Sequence, residues 1–284
     1  MNPDRIYQEH RDDAMAKQFE AAEYSTFVAM PFREQFSYRS RDVKKEIIEA
    51  AAKYATEHGD LSKPFATPKR IDEKELQAGV ITEEIIVQIL ESHLFVGDLT
   101  FENPGVLLET GIALGLKPNG RIILMVQGER DLHFDIRNNN IIDYNAKDST
   151  KAEEEIGKAF IAAARHWESD AEKAISQRIE NLTPEALTCL LYYDTIQGES
   201  EKNSLHSQQM PDELVNMWGD VTAARCAYGL AIRELIENRL MYTQFRPQPT
   251  VATPNRSKYG NHATALGWAV IKHLRSQPNS PVEE

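Results

Sequence analysis

Leu94-Phe-Val-Gly-Asp-Leu-Thr-Phe-Glu-Asn-Pro-Gly-Val-Leu-Leu-Glu-Thr-Gly-Ile-Ala-Leu-Gly-Leu116, with Arg121-Ile-Ile-Leu-Met-Val126 just beyond it, is the stretch that decides the fold. Leu94–Asp98 is a short apolar run without polar alternation, which reads as a strand buried on both faces. The loop Glu102-Asn103-Pro104-Gly105 then opens a helix through Val106, Leu107, Ile112 and Leu116, and Arg121–Val126 is a second buried strand. Strand, helix and strand in this order describe one unit of a parallel sheet covered on both sides.

Upstream, Ser25-Thr-Phe-Val-Ala-Met30 is another buried strand, bounded by Pro31. Val43, Ile47, Ile48, Ala51 and Ala55 then share one helical face, with Gly59 past its end. Phe65–Thr67 is a weak extended segment running into Lys69-Arg70-Ile71-Asp72, because two prolines interrupt it. Thr82 is the expected cap of a helix with the face Ile85, Ile86, Ile89 and Leu90. Downstream, Ile141-Ile142 closes the sheet. The expected architecture is α/β: a flavodoxin/Rossmann-like, mainly parallel sheet flanked by helices over residues 25–150. Residues 1–24 form an arm or peripheral helix.

From Lys151 the pattern becomes helical. A long alanine-rich, acidic helix to about Ile179 acts as a connector (151–181). Thr183 caps the next helix, with Pro184 at its first position. Helices over Glu185–Ile196, Asp212–Trp218 and Thr222–Asn238 follow, then Leu240–Phe245, a proline-rich tip and a return into Ala263-Thr264. That order describes a winged helix-turn-helix domain over 182–275, with a disordered tail at 276–284.

Composition narrows the function classes. The 284 residues carry a net charge of −12 and 41% hydrophobic residues, enough for two ordinary domains. The longest apolar run, Ala159–Ala164, is too short to span a membrane, and Met1–Lys17 is too polar for a signal peptide, so a cytoplasmic protein is expected. Two cysteines without a C-x-x-C pair argue against a disulfide framework or a zinc cluster, and no metal or other cofactor is expected. The charge is uneven: residues 1–220 balance at −16 and residues 221–284 at +4. An acidic body with a basic end suggests surfaces for different partners, with chance clustering the plain alternative.

In an open parallel sheet, ligands bind beyond the carboxyl ends of the strands. Met30–Arg33, Arg70–Asp72, Asp98–Glu109 and Gln127–Glu129 all follow strands and fall on that edge. The helix after Asn103 offers unpaired N–H groups and a partial positive charge, with Glu109 in or near its first turn. Gly111 and Gly115, one turn apart, would let one face of that helix approach the sheet or a ligand closely.

Phe27-Val-Ala-Met-Pro-Phe32, Arg70-Ile-Asp72, Val96-Gly-Asp-Leu-Thr100 with Asn103-Pro104, and Leu108-Glu-Thr-Gly-Ile-Ala-Leu-Gly115 together resemble the nucleoside 2-deoxyribosyltransferase and TIR-like superfamily, over about residues 25–145. The chain departs from many relatives at Gly105 and Thr110. The resemblance implies that Glu109 is the catalytic carboxylate for cleaving an N-glycosidic bond. A carboxylate suits that reaction because positive charge builds on the sugar as the bond breaks. Asp98 and Asp72 are candidates to protonate or hydrogen-bond the departing base. The alternatives are a dipole-favoured surface Glu109, an Asp98 that only orders its loop, and an Asp72 paired with Arg70. The substrate-binding set is Met30, Pro31, Phe32, Arg33, Arg70, Asn103, Pro104, Gly105 and Gly111, the two arginines being suited to a phosphate.

In the basic end, Arg225, Arg233, Arg239, Arg246, Arg256 and Lys258 are candidates for nucleic-acid contact, and a surface for protein contacts or dimerisation is the alternative. The two-domain order, with Ile232–Leu240 and Thr264–Gly267, resembles the toxic effectors of bacterial retron anti-phage systems. There the partner is a reverse transcriptase and its DNA–RNA product, so membership of a homo-oligomer or larger assembly is implied. The expected function is an N-glycosidase acting on a nucleoside or nucleotide. The rival readings are a TIR-like NAD hydrolase and a non-enzymatic nucleotide-sensing transcriptional regulator.

Overall fold

A computed structural model describes residues 13–32, 38–70, 81–128, 140–197, 210–245 and 259–276. The chain divides into two compact units, Met1–Asp170 and Ala171–Glu284. Arg33, Asp72, Arg246, Arg256 and Lys258 lie outside the described residues, as do 277–284 of the expected tail.

The first unit is built on a four-stranded parallel sheet: β1 (Thr26–Ala29), β2 (Leu94–Asp98), β3 (Ile122–Gln127) and β4 (Ile141–Tyr144), side by side in chain order. The weak segment at 64–69 lies along the free edge of β1. Its pairing is reduced to two isolated parallel bridges, Tyr24 with Phe65 and Phe27 with Lys69. Pro64 and Pro68 have no N–H to give a ladder, which is why no full strand forms.

Strand residues alternate between two cores. Val28, Val96, Ile123 and Met125 pack with α1, a helix made of Ser40–Val43, a π-helical stretch Lys44–Glu49 and Ala50–His58. The wider π turn brings both Ile47 and Ile48 inward. On the other face Phe27, Phe95, Leu124 and Val126 pack with α2 (Ile81–Glu91) and α3 (Pro104–Leu116). Thr82 is the second described residue of α2. Ile156, Phe160 and Ala163 of α4 (Ser149–Glu180) complete the first core, so the expected connector is, through Asp170, part of the first unit.

The amino-terminal segment is anchored. Residues 13–20 are helical, and buried Gln18 donates to the carbonyls of Leu90 (2.9 Å) and Ser92 (3.0 Å). His93, fully buried, accepts at Nδ1 from the Ser25 backbone N–H (3.0 Å), so its proton sits on Nε2, which donates to the Gln18 carbonyl at 3.0 Å. Burial pushes the His93 imidazole down to about 3, so it stays neutral.

The second unit contains α5 (Pro184–Gln197), α6 (Asp212–Trp218), α7 (Val221–Glu237), a two-stranded antiparallel ribbon of β5 (Met241–Phe245) and β6 (Tyr259–Ala263), and α8 (Ala265–Ser276). Ser276, expected in the tail, is the last residue of α8. Thr183 caps α5, accepting from the Ala186 N–H at 3.2 Å, and donates to Glu234 at 2.7 Å. Gly219 is left-handed (φ 66°), and Asp220 caps α7 by accepting from the Ala223 N–H, which makes the α6–α7 turn tight. Gly267 has no alternative: a Cβ there would lie 2.1 Å from the Leu240 carbonyl oxygen.

Among the described residues no helix is long and apolar enough to cross a membrane.

Candidate active site

Asp98, the last residue of β2, is completely buried, and four hydrogen bonds converge on it. Tyr38 (2.8 Å) and Tyr144 (2.9 Å) donate to Oδ2, while the Thr100 backbone N–H (3.1 Å) and hydroxyl (2.5 Å) donate to Oδ1. The Thr100 hydroxyl oxygen in turn accepts from the Gln127 N–H at 2.9 Å. One carboxylate therefore ties the loops after β1 and β2 and the ends of β3 and β4 into a single framework. Burial pushes Asp98 up, and the four donors draw it back toward the charged form. Burial first, then the Asp98 charge, pushes both tyrosines up, so they remain donors.

With both oxygens occupied, Asp98 organises the edge of the sheet. This is the loop-ordering alternative, extended to two tyrosines that sequence reasoning missed. They lie 60 and 46 residues from Asp98, a separation for which no spacing rule exists.

Around this hub, Met30 and Pro31 are buried and Phe32 is 54% exposed. Arg70 is 8% exposed, with its guanidinium 4.8 Å from the Phe32 ring centroid, a cation–π arrangement. The loop after Asp98 turns through two left-handed residues, Phe101 (φ 67°) and Glu102 (φ 47°), and the Phe101 ring meets Tyr38 edge-on at 5.3 Å.

The start of α3 differs from expectation. Asn103 is its cap, and its side-chain oxygen accepts from the N–H groups of Gly105 (2.9 Å) and Val106 (3.4 Å). Pro104 has no N–H, and the Leu107 N–H bonds the Asn103 carbonyl at 2.9 Å. The first turn's donors are therefore committed within the chain, and Asn103, Pro104 and Gly105 build the helix start instead of an open anion cradle.

Glu109 lies near the first turn of α3, in the second, and is half-buried. Its neighbour Thr110 is buried against β2: a Cβ on Gly97 would come within 3.0 Å of the Thr110 hydroxyl. That close approach holds Glu109 near the level of Asp98, at the carboxyl-terminal edge, though on the opposite side of the sheet. The tight contact falls at Gly97 and Thr110. Gly111 and Gly115 instead look outward with nothing within 4 Å of a built Cβ, beside a 65% exposed Leu108.

A cavity of about 250 Å³ bordered by Lys17, Lys69, Gln88 and Glu91 lies at the start of β1 and shares no residue with this site. Among the described residues no group of three His, Cys, Asp or Glu side chains could hold a metal ion.

Of the basic candidates, Arg225 and Arg233 are exposed on α7. Arg233 pairs with Glu237 at 2.8 Å, which offsets its charge locally. Arg239 sits in a left-handed turn (φ 59°), its carbonyl accepting from the Thr264 hydroxyl at 2.7 Å. Compared with known proteins, the chain matches no family model, no curated protein and no solved structure.

Proposed function

We propose that the first unit is an N-glycosidase of the nucleoside deoxyribosyltransferase-like kind, acting on a nucleoside or nucleotide. The observation that carries this reading is the half-buried Glu109, held by the Thr110–Gly97 contact at the edge of a parallel sheet. The strand order β1-β2-β3-β4, with the 64–69 segment bridged to the outer edge of β1, fits a flavodoxin-like arrangement whose switch point lies between β1 and β2. In this scheme Glu109 meets the positive charge that develops on the sugar, by covalent capture or by electrostatic stabilisation. Phe32 over Arg70 supplies an aromatic face and a cation beside the ligand. Asp98 acts through the tyrosines and loops that it orders.

The second unit is read as a winged helix that regulates this activity through a nucleic-acid or protein partner, in the manner of a retron-type defence effector. The support is the tight α6–α7 turn followed by a β-ribbon and α8, together with the basic balance of residues 221–284.

The test is to incubate the protein with NAD, nucleosides and deoxynucleotides and to follow free base by chromatography, beside Glu109→Gln. Base release by the wild type and its loss in the variant is the expected result. Release from NAD alone would favour the TIR-like reading. Tight binding without release, equal in both proteins, would refute catalysis and leave a sensor.

A further inference from the structure

Gln127 ends β3 and stands opposite Tyr144 in the parallel register. Ile123 and Met125 of the same strand face the core that contains Tyr144, so alternation turns the Gln127 side chain to that side, where Tyr38, Asp98 and Tyr144 meet. Its backbone is fixed: the N–H donates to Thr100 Oγ1 at 2.9 Å, and Thr100 is held by Asp98. Its side chain is not satisfied in the same way. Oε1 is buried and has no hydrogen-bond partner.

A buried carbonyl oxygen without a donor is costly, and native structures rarely keep one without a reason. The hydroxyls of Thr26 and Thr110 share this condition, but they lie in closed packing, 3% and 1% exposed. Gln127 Oε1 is as buried as those hydroxyls, but the residue as a whole is half-buried and stands at the edge where ligands reach a parallel sheet.

We infer that Gln127 reads the base of the ligand, with Oε1 accepting a base N–H and Nε2 donating to the adjacent ring or carbonyl acceptor. This rests on the nucleoside-directed reading of the site. An amide places an acceptor beside a donor, and nucleobases carry the complementary pair along one edge, so two parallel hydrogen bonds form. A sugar hydroxyl would engage only one end. The site thus discriminates by the base, and Gln127 is a specificity-determining residue.

The test measures binding apart from turnover. Adenosine, cytidine, guanosine, thymidine and NAD are titrated calorimetrically into Glu109→Gln and into Glu109→Gln/Gln127→Leu, with ribose 5-phosphate as a base-free control. The expected result is a loss of about 10- to 100-fold in affinity for the base-bearing ligand that binds, with ribose 5-phosphate unaffected. The Tm of Gln127→Leu should equal or exceed that of the wild type, because an unsatisfied buried acceptor is removed. A lowered Tm would mean that the carbonyl serves the fold, and it would overturn the inference. So would unchanged affinity, or no binding of any base-bearing ligand. Affinity that depends on Gln127 with no base released by the wild type would sustain the inference and sink the glycosidase reading. Base release with affinity indifferent to Gln127 would do the reverse.

Discussion

Tyr38→Phe is the most informative perturbation of the framework at the edge of the sheet, because it deletes one oxygen and leaves the ring that packs against Phe101. The lost bond is 2.8 Å long, fully buried and made to a carboxylate, so it belongs to the stronger class, about 1.5–3 kcal/mol. Asp98 would keep three donors, from Tyr144 and Thr100, so the charge stays solvated by the protein and the loss should remain in that range. Asp98→Ala should cost more, about 3–5 kcal/mol, since it strands two buried tyrosine hydroxyls and the Thr100 donors, offset by relief from burying a charge. In the double variant the Tyr38 change should cost almost nothing further, giving a coupling of about 1.5–3 kcal/mol. Urea unfolding of the four proteins, with midpoints and slopes fitted together, measures this directly. A Tyr38→Phe loss below about 0.5 kcal/mol, or additive effects, would refute the hub. The pH dependence has a fixed sign. Asp98 is pushed above its ordinary 3.8, so its contribution to stability is complete below that value and is lost as pH rises through the folded value. Relative to Asp98→Asn, the wild type should therefore gain as the solution is acidified.

Lys117 is almost fully buried, donates to the Ser92 carbonyl beside Arg121, and is pushed by burial from 10.5 down to about 7, a difference on the order of 5 kcal/mol. A lowered lysine costs stability while it is charged in both states. Wild-type stability should therefore climb from about pH 7 toward pH 10, where the raised Tyr24 begins to subtract, while Lys117→Met should be flatter and more stable at pH 7. Asn103→Ala removes the α3 cap and should cost about 1 kcal/mol in urea unfolding. On the proposed nucleoside-directed reading, affinity measured calorimetrically should stay within about twofold, because Asn103 serves the helix start.

The strands 94–98, 122–127 and 26–29 were legible because apolar runs without alternation have few other uses, and α3 because its apolar positions fit one helical turn after another. The 64–69 segment was legible as weak for the reason that it is weak: prolines cannot donate to a ladder. The carboxyl-terminal edge of the sheet was legible as a place, but the contacts its residues make there were not. Asn103 and Gly105 stand among the substrate-binding candidates of the sequence, and the structure adds that the Asn103 side-chain oxygen caps α3 by accepting from the Gly105 and Val106 N–H groups. Gly111 and Gly115 predict a helix face able to approach the sheet or a ligand closely; the approach to the sheet falls instead at Thr110 and the strand's Gly97, since nothing in a helical repeat says which small residue meets the sheet.

The sequence alone therefore determined the element types, their order, the parallel sheet and the edge at which chemistry-bearing residues collect, because these depend on periodicity and on local turn chemistry. Only the tertiary structure decided that Tyr38 and Tyr144 close on Asp98, that Glu109 and Asp98 lie on opposite sides of one sheet, and that Gln127 keeps an unsatisfied carbonyl. Those facts depend on which distant residues meet once strand register and face are set, and a hydrogen bond across 60 residues leaves no mark in local spacing.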